Sequence, residues 1–133
     1  MRSVSADAIV FRDGKILLVE RASPPFEGVL ALPGGHLGDD ESLEECIRRE
    51  VLEETSLSVS PVVMVGAYSS PARDPRGTVS IAYICEITGG SEAPGSDASR
   101  LVWMEVGLVD KAKLAFDHNR IVRDALALVL KGV

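Results

Sequence analysis

The sequence predicts an α/β layer fold, a mixed sheet between helices. Three observations carry this. Short runs rich in β-branched residues are separated by Gly/Pro/Asp turns, two stretches show helical spacing of apolar residues, and the whole is of one-domain length. With 133 residues the chain can bury one real core, so residues 1–133 are read as a single domain.

Ser3 to Phe11 reads as the first strand, and the Asp13-Gly14 pair after it is a strong hairpin signal. Ile16 to Glu20 is the returning strand. Pro24, Pro25 and Gly28 mark a loop, and the apolar run Val29 to Leu32 leads into Pro33-Gly34-Gly35. A helix is expected from about Ser42 to Thr55. Val62 to Tyr68 reads as a strand, Ser69 to Gly77 as a loop, Thr78 to Ile87 as a long strand, and Thr88 to Ser99 as a polar loop. Arg100 to Glu105 is a short strand. Asp117 is placed to cap a last helix over His118 to Lys131, with Ile121, Val122, Ala125, Leu126 and Val129 at helical spacing.

Composition removes several function classes. The formal net charge is −6 and the pI is near 4.9, against the basic patch of a nucleic-acid binder. The 46% hydrophobic content excludes a disordered chain. Apolar runs fall far short of the roughly 20 residues a membrane helix needs. The start of the chain reads as a strand rather than a leader. Cys46 and Cys85 do not make a disulfide framework and read as buried thiols, so a reducing, cytoplasmic setting is expected.

The chemistry lies on the first helix. At about 100° per residue, Leu43, Cys46 and Ile47 share a face, and Glu50, Glu53, Glu54 and Leu57 continue it. Leu52 points off this stripe, as if the helix were covered on more than one side. Carboxylates that extend an apolar stripe repel one another and resist ionisation. A hard divalent cation would compensate, since Mg²⁺ favours carboxylate oxygens and keeps waters for a phosphate substrate. A solvated acidic helix end, with Arg48 and Arg49 pairing locally, fits the same spacing. Pro33-Gly34-Gly35 just upstream lets backbone groups approach a metal or phosphate closely, though alone it is only a turn.

Gly35, Glu41 and the run Arg49-Glu50-Val51-Leu52-Glu53-Glu54-Thr55-Ser56-Leu57 together resemble the Nudix box. The resemblance implies an α/β/α sandwich that hydrolyses nucleoside diphosphates linked to another moiety, with Mg²⁺ or Mn²⁺. It implies Glu50 and Glu54 as metal ligands, Glu53 as a third ligand or the holder of a bound water, and the Gly34 carbonyl as a further oxygen. Arg49 and Glu41 are implied to be structural. Such a cation neutralises pyrophosphate oxygens and activates the attacking water. The base is a box glutamate, Glu53 or Glu54, or an acidic residue of the 88–99 loop, Glu92 ahead of Asp97. Ser56 stands where the family usually has Gly, at a helix end that favours a left-handed backbone.

The segment Ser69 to Gly77, with Pro71 downstream of the box, resembles that of ADP-ribose pyrophosphatases in the Nudix family, as does Ala115-Phe116-Asp117-His118. The implied reaction turns ADP-ribose and water into AMP and ribose 5-phosphate. Arg73 and Arg76 suit bidentate phosphate contacts, with Arg21 as a further candidate. His118 reads as structural. Phe26, Tyr68 and Tyr83 are candidates for stacking adenine, and Trp103 reads as core. The relatives are commonly homodimers, which can complete the site. Two other readings stay open: a nucleoside triphosphate pyrophosphohydrolase, including one for oxidised nucleotides, and a non-catalytic ADP-ribose sensor. The first releases pyrophosphate, and the second usually has an added DNA-binding domain.

Overall fold

The computed structural model describes residues 1–95 and 97–131. Seven strands form one sheet: β1 (Val4–Arg12), β2 (Lys15–Arg21), β3 (Leu30–Ala31), β4 (Gly34–His36), β5 (Leu57–Tyr68), β6 (Val79–Gly90) and β7 (Ala98–Glu105). The order is β3-β2-β1-β6-β5, with β4 on β1 and β7 on β2. The β1–β6 pair is parallel and all other pairs are antiparallel, so the sheet is mixed. Asp13 and Gly14 close the β1–β2 hairpin with φ of 53° and 74°, as a two-residue type I′ turn requires.

The two-residue period of the strands divides the core into layers. Ala6, Ala8, Val10 and Leu17 face one way and pack with Cys46, Ile47 and Val51 of α1 (Leu43–Thr55). Ile9, Ile16, Leu18 and Ala82 face the other way and pack with Ile121, Val122 and Ala125 of α2 (His118–Leu130). This is the expected α/β/α sandwich. Both cysteines are buried and free. Among the described residues no helix is long and apolar enough to cross a membrane.

Several boundaries differ from expectation. The fifth strand starts at Leu57, not Val62. Its bulges at Ser58/Val59, Pro61/Val63 and Met64/Gly66 break the alternation that would have revealed it, and Pro61 is tolerated because β5 is an edge strand. β6 runs to Gly90, which shortens the loop expected over 88–99. Pro71–Arg73 forms a 3₁₀ turn within the predicted loop. Asp117 does not cap α2 with its side chain, because its carboxylate is taken by Arg73. Leu52 is 51% exposed, so α1 is covered on one side only in this chain.

Candidate active site

α1 starts in a capping box. Ser42 Oγ accepts from the Glu45 amide, and the Glu45 carboxylate accepts from the Ser42 amide. It ends on Ser56, whose backbone is left-handed at φ 63°, ψ 10° and whose amide donates to the Leu52 carbonyl. The position where the family pattern has glycine thus keeps its backbone conformation with a serine, at a cost of about 1 kcal/mol. Beyond the cap, Ala93 donates to the Thr55 carbonyl at 2.8 Å and Gly95 to the Glu54 carbonyl at 2.9 Å, so the loop after β6 closes the helix end.

β4 lies against α1 through its glycines. A Cβ on Gly34 would overlap the Ala6 carbonyl and Asp7, and one on Gly35 would overlap the Glu50 carboxylate. The Gly34 amide donates to Glu54 Oε1 at 2.8 Å. Glu54 is only 7% exposed, and burial pushes its carboxyl up to about 8. Burial also raises the half-buried Glu50, against the pull of Arg49.

Arg49 bridges the acidic group. It donates to Glu41 at 2.9 and 2.6 Å, to Glu50 at 2.8 Å, to Glu53 at 3.4 and 3.3 Å, and to the His36 carbonyl at 3.2 Å. The Arg49 bonds to Glu41, and then the Gly38 amide that donates to it at 2.8 Å, hold the Glu41 carboxyl down at about 2. Glu53 is 47% exposed and turned to Arg49, and it is not among the residues that line the cleft.

That cleft has a volume of ≈ 260 Å³. Asp7, Gly34, Gly35, Glu50, Glu54 and Asp97 line it, and so do Arg21, Arg73, Arg76, Phe116 and His118. The three arginines named from sequence are therefore brought together with two of the three box glutamates. Their states differ. Arg73 is 3% exposed and committed, with Nε to Asp117 at 2.9 Å, Nη2 to Asp117 at 2.8 Å and Nη1 to the Thr78 carbonyl at 2.8 Å. Arg76 pairs with Asp74 through Nε and Nη2. Arg21 gives Nε to the Pro25 carbonyl at 2.6 Å, and its basicity is lowered by burial and then by neighbouring Arg76.

The loop acids separate. Glu92 stands away from the cleft, paired with Arg12 at 2.8 Å and accepting from the Trp103 indole. Asp97 lines the cleft, with a left-handed backbone at φ 63° and its carbonyl accepting from Ala22. The order expected from sequence, Glu92 ahead of Asp97, is reversed by position. Arg12 and Trp103 hold Glu92 against the β1 and β7 strands, outside the cleft lining.

His118 accepts from the Leu32 amide on Nδ1 at 3.0 Å, and burial pushes it down to about 3, so the ring is a neutral structural group. Tyr68 packs in the α2-side core with its hydroxyl on Asp124, and Tyr83 packs in the α1-side core. Neither lines the cleft. Trp103 packs on the α1-side core, where Arg12 covers its ring at 4.1 Å. Phe26 meets Phe116 edge to face at 4.8 Å.

Sequence reasoning missed Asp7, His36, Asp74 and Phe116, all of which line the cleft. Asp7 had a signal, since it interrupts an apolar strand on a core-facing position. Its buried carboxyl accepts from Ser80 Oγ and is raised to about 6 by burial. Phe116 lay in the Ala115-Phe116-Asp117-His118 stretch that resembles the relatives, but only the folded chain shows the arginines around its ring.

The donor set suits a hard cation. Glu50 and Glu54 offer carboxylate oxygens, and burial leaves their charge short of compensation. Among the described residues no group of three or more His, Cys, Asp or Glu side chains is assembled for a metal. The two carboxylates at Glu50 and Glu54 fit a cation that takes the rest of its oxygens from backbone and water, as Mg²⁺ does.

Comparison with known proteins agrees with this geometry. A NUDIX domain profile matches residues 1–125. The chain is 42% identical over 123 residues to an ADP-ribose pyrophosphatase of Methanocaldococcus jannaschii, covering 92% of this chain and 72% of that one. It superposes with a TM-score of 0.86 on a MutT/nudix family protein from Enterococcus faecalis, 28% identical, covering 98% of this chain and 63% of that one. A TM-score of 0.85 relates it to the NUDIX domain of Shewanella oneidensis NrtR, which was crystallised with ADP-ribose, at 28% identity over 97% of this chain and 89% of that one. Matches over nearly the whole chain, on a fold that brings Glu50, Glu54 and three arginines to one cleft, mean that the chain belongs to the Nudix family and is a Nudix pyrophosphohydrolase.

Proposed function

We propose that residues 1–133 form one Nudix hydrolase domain that cleaves the pyrophosphate of ADP-ribose, giving AMP and ribose 5-phosphate, with Mg²⁺ or Mn²⁺ as cofactor. The observation that carries this reading is the joint lining of one cleft by Glu50 and Glu54 with Arg21 and Arg76. Likeness to the archaeal ADP-ribose pyrophosphatase supports the choice of substrate.

Glu50 and Glu54, with the Gly34 carbonyl, would hold the cation, and Glu53 acts from outside by fixing Arg49. The bound cation supplies charge neutralisation at the pyrophosphate and a more acidic water. Arg21 and Arg76 bind the phosphates with their remaining N–H groups. Asp97 takes the proton of the attacking water, and the P–O–P bond breaks toward the departing phosphate. Arg73 anchors the wall of the site by holding Asp117, rather than by binding substrate.

A product assay tests the reaction. The protein, with Mg²⁺, is given ADP-ribose, dinucleotide coenzymes, nucleotide sugars and nucleoside triphosphates, and products are separated by ion exchange. AMP chiefly from ADP-ribose is the expected result. Pyrophosphate from a triphosphate would replace the substrate assignment. Bound but uncleaved ADP-ribose would support a sensor instead. For the base, Asp97→Asn should lower kcat roughly 10²–10⁴-fold while Glu92→Gln stays near wild type. The opposite ranking would return the role to Glu92.

A further inference from the structure

Phe116 is the least expected residue of the cleft. It is a bulky aromatic in the left-handed backbone region, at φ 54°, where side chains other than glycine are rare. Phe26, which meets it edge to face at 4.8 Å, is also left-handed, at φ 62°. Two such residues in contact, one of them lining the cleft, mark a place where the fold holds the backbone against its preference. Around the Phe116 ring stand three guanidinium groups, with Cζ atoms 5.1 Å (Arg21), 5.7 Å (Arg73) and 5.7 Å (Arg76) from its centroid.

Three like charges this close repel. Arg73 is offset by Asp117 and is fully engaged. Arg76 is partly offset by Asp74, and Arg21 has no carboxylate partner among the described residues. The electron-rich ring face is the group that all three share, and attraction to it is stronger where water is excluded. Arg21 uses only Nε, on the Pro25 carbonyl, and Arg76 keeps Nη1 beyond its two bonds to Asp74. Both side chains line the cleft that holds Glu50 and Glu54.

We propose that Phe116 is a positioning residue, buttressed by Phe26, whose ring gathers Arg21 and Arg76 into a two-guanidinium clamp for the pyrophosphate group of the substrate. The proposal rests on the reading of this cleft as a pyrophosphate hydrolase site, and it names the part of the chain that sets the clamp. The ring does not touch the reacting atoms. It keeps two cations at a fixed separation before substrate arrives, so less ordering is left to binding.

The test reads binding of inorganic pyrophosphate by calorimetry, because this group is common to every candidate substrate. Phe116→Leu should weaken pyrophosphate binding about tenfold and flatten its dependence on ionic strength, whereas Phe116→Tyr, which keeps the ring face, should stay within about twofold. KM should rise with little change in kcat for whichever substrate the protein cleaves. Unchanged pyrophosphate affinity in Phe116→Leu would overturn the proposal, as would an equal loss in Phe116→Tyr. A loss confined to adenosine would also overturn it and make the ring a base platform. Should Phe116→Leu fail to fold, Phe26→Leu carries the test: a loss of about threefold supports the buttress, and wild-type affinity refutes it. If ADP-ribose proves not to be a substrate while the pyrophosphate result holds, the substrate assignment fails and the clamp stands.

Discussion

At the scale of single residues, Glu54 shows how burial and function are joined. Its carboxylate is nearly enclosed, bonded to the Gly34 amide, and raised to about 8 by burial. A glutamine keeps the acceptor for that amide and removes the ionisable group. Glu54→Gln should therefore melt no lower than wild type at pH 8 while its turnover falls roughly 10²–10³-fold, the scale of losing one charge-stabilising group from a site. Substantial residual turnover would remove Glu54 from the cation site. Asp97 and Glu92 make the complementary point. They are acids of one loop, yet Glu92 is fixed by Arg12 and Trp103 while Asp97 reaches the cleft.

Among elements, α1 is held at both ends by devices outside its apolar stripe. The capping box of Ser42 and Glu45 starts it, and the 91–95 loop closes its far end. Gly95 lies so near this helix end that a Cβ would overlap the Glu53 carbonyl oxygen. Backbone cannot give way as a flexible side chain can, so Gly95→Ala should cost about 1–3 kcal/mol in urea unfolding. Because the same loop carries Asp97, kcat should fall as well. A variant as stable and as active as wild type would show that the loop does not brace the helix.

For the molecule as a whole, buried titratable groups set opposing limits with pH. Glu54 is raised from 4.5 to about 8. The unfolded chain loses this proton above about 4.5 while the folded chain keeps it, so stability falls as pH rises across that window. Asp7, raised from 3.8 to about 6, acts in the same sense. His118, lowered from 6.5 to about 3, acts oppositely, because the unfolded chain takes up a proton below 6.5 and stability falls as pH drops toward 3. A divalent cation held by Glu50 and Glu54, as proposed, would favour the ionised carboxylates and relieve the loss at Glu54. Added Mg²⁺ should raise Tm more at pH 8 than at pH 5.5, measured by thermal unfolding with and without chelator. An equal shift at both values would separate cation binding from the ionisation of Glu54.

What the sequence by itself determined was local or periodic. Asp13-Gly14 closes a hairpin because both residues tolerate positive φ. Alternation along β1 and helical spacing along α1 and α2 sort side chains into two cores, and the linear spacing of the box glutamates places them on one helix. The wheel overstated one point, since Glu53 follows Arg49 toward solvent rather than joining the cleft. What only the tertiary structure decided depends on residues far apart in the chain. The start of β5 was hidden by bulges that make sense only against β6. Asp117 is drawn from its helix by Arg73, 44 positions away, and Phe116 acquires its three arginines from two separate segments, the end of β2 and the loop after β5. A repeating pattern records which face a residue takes, whereas the partner that engages its charge or its ring is chosen by the folded packing.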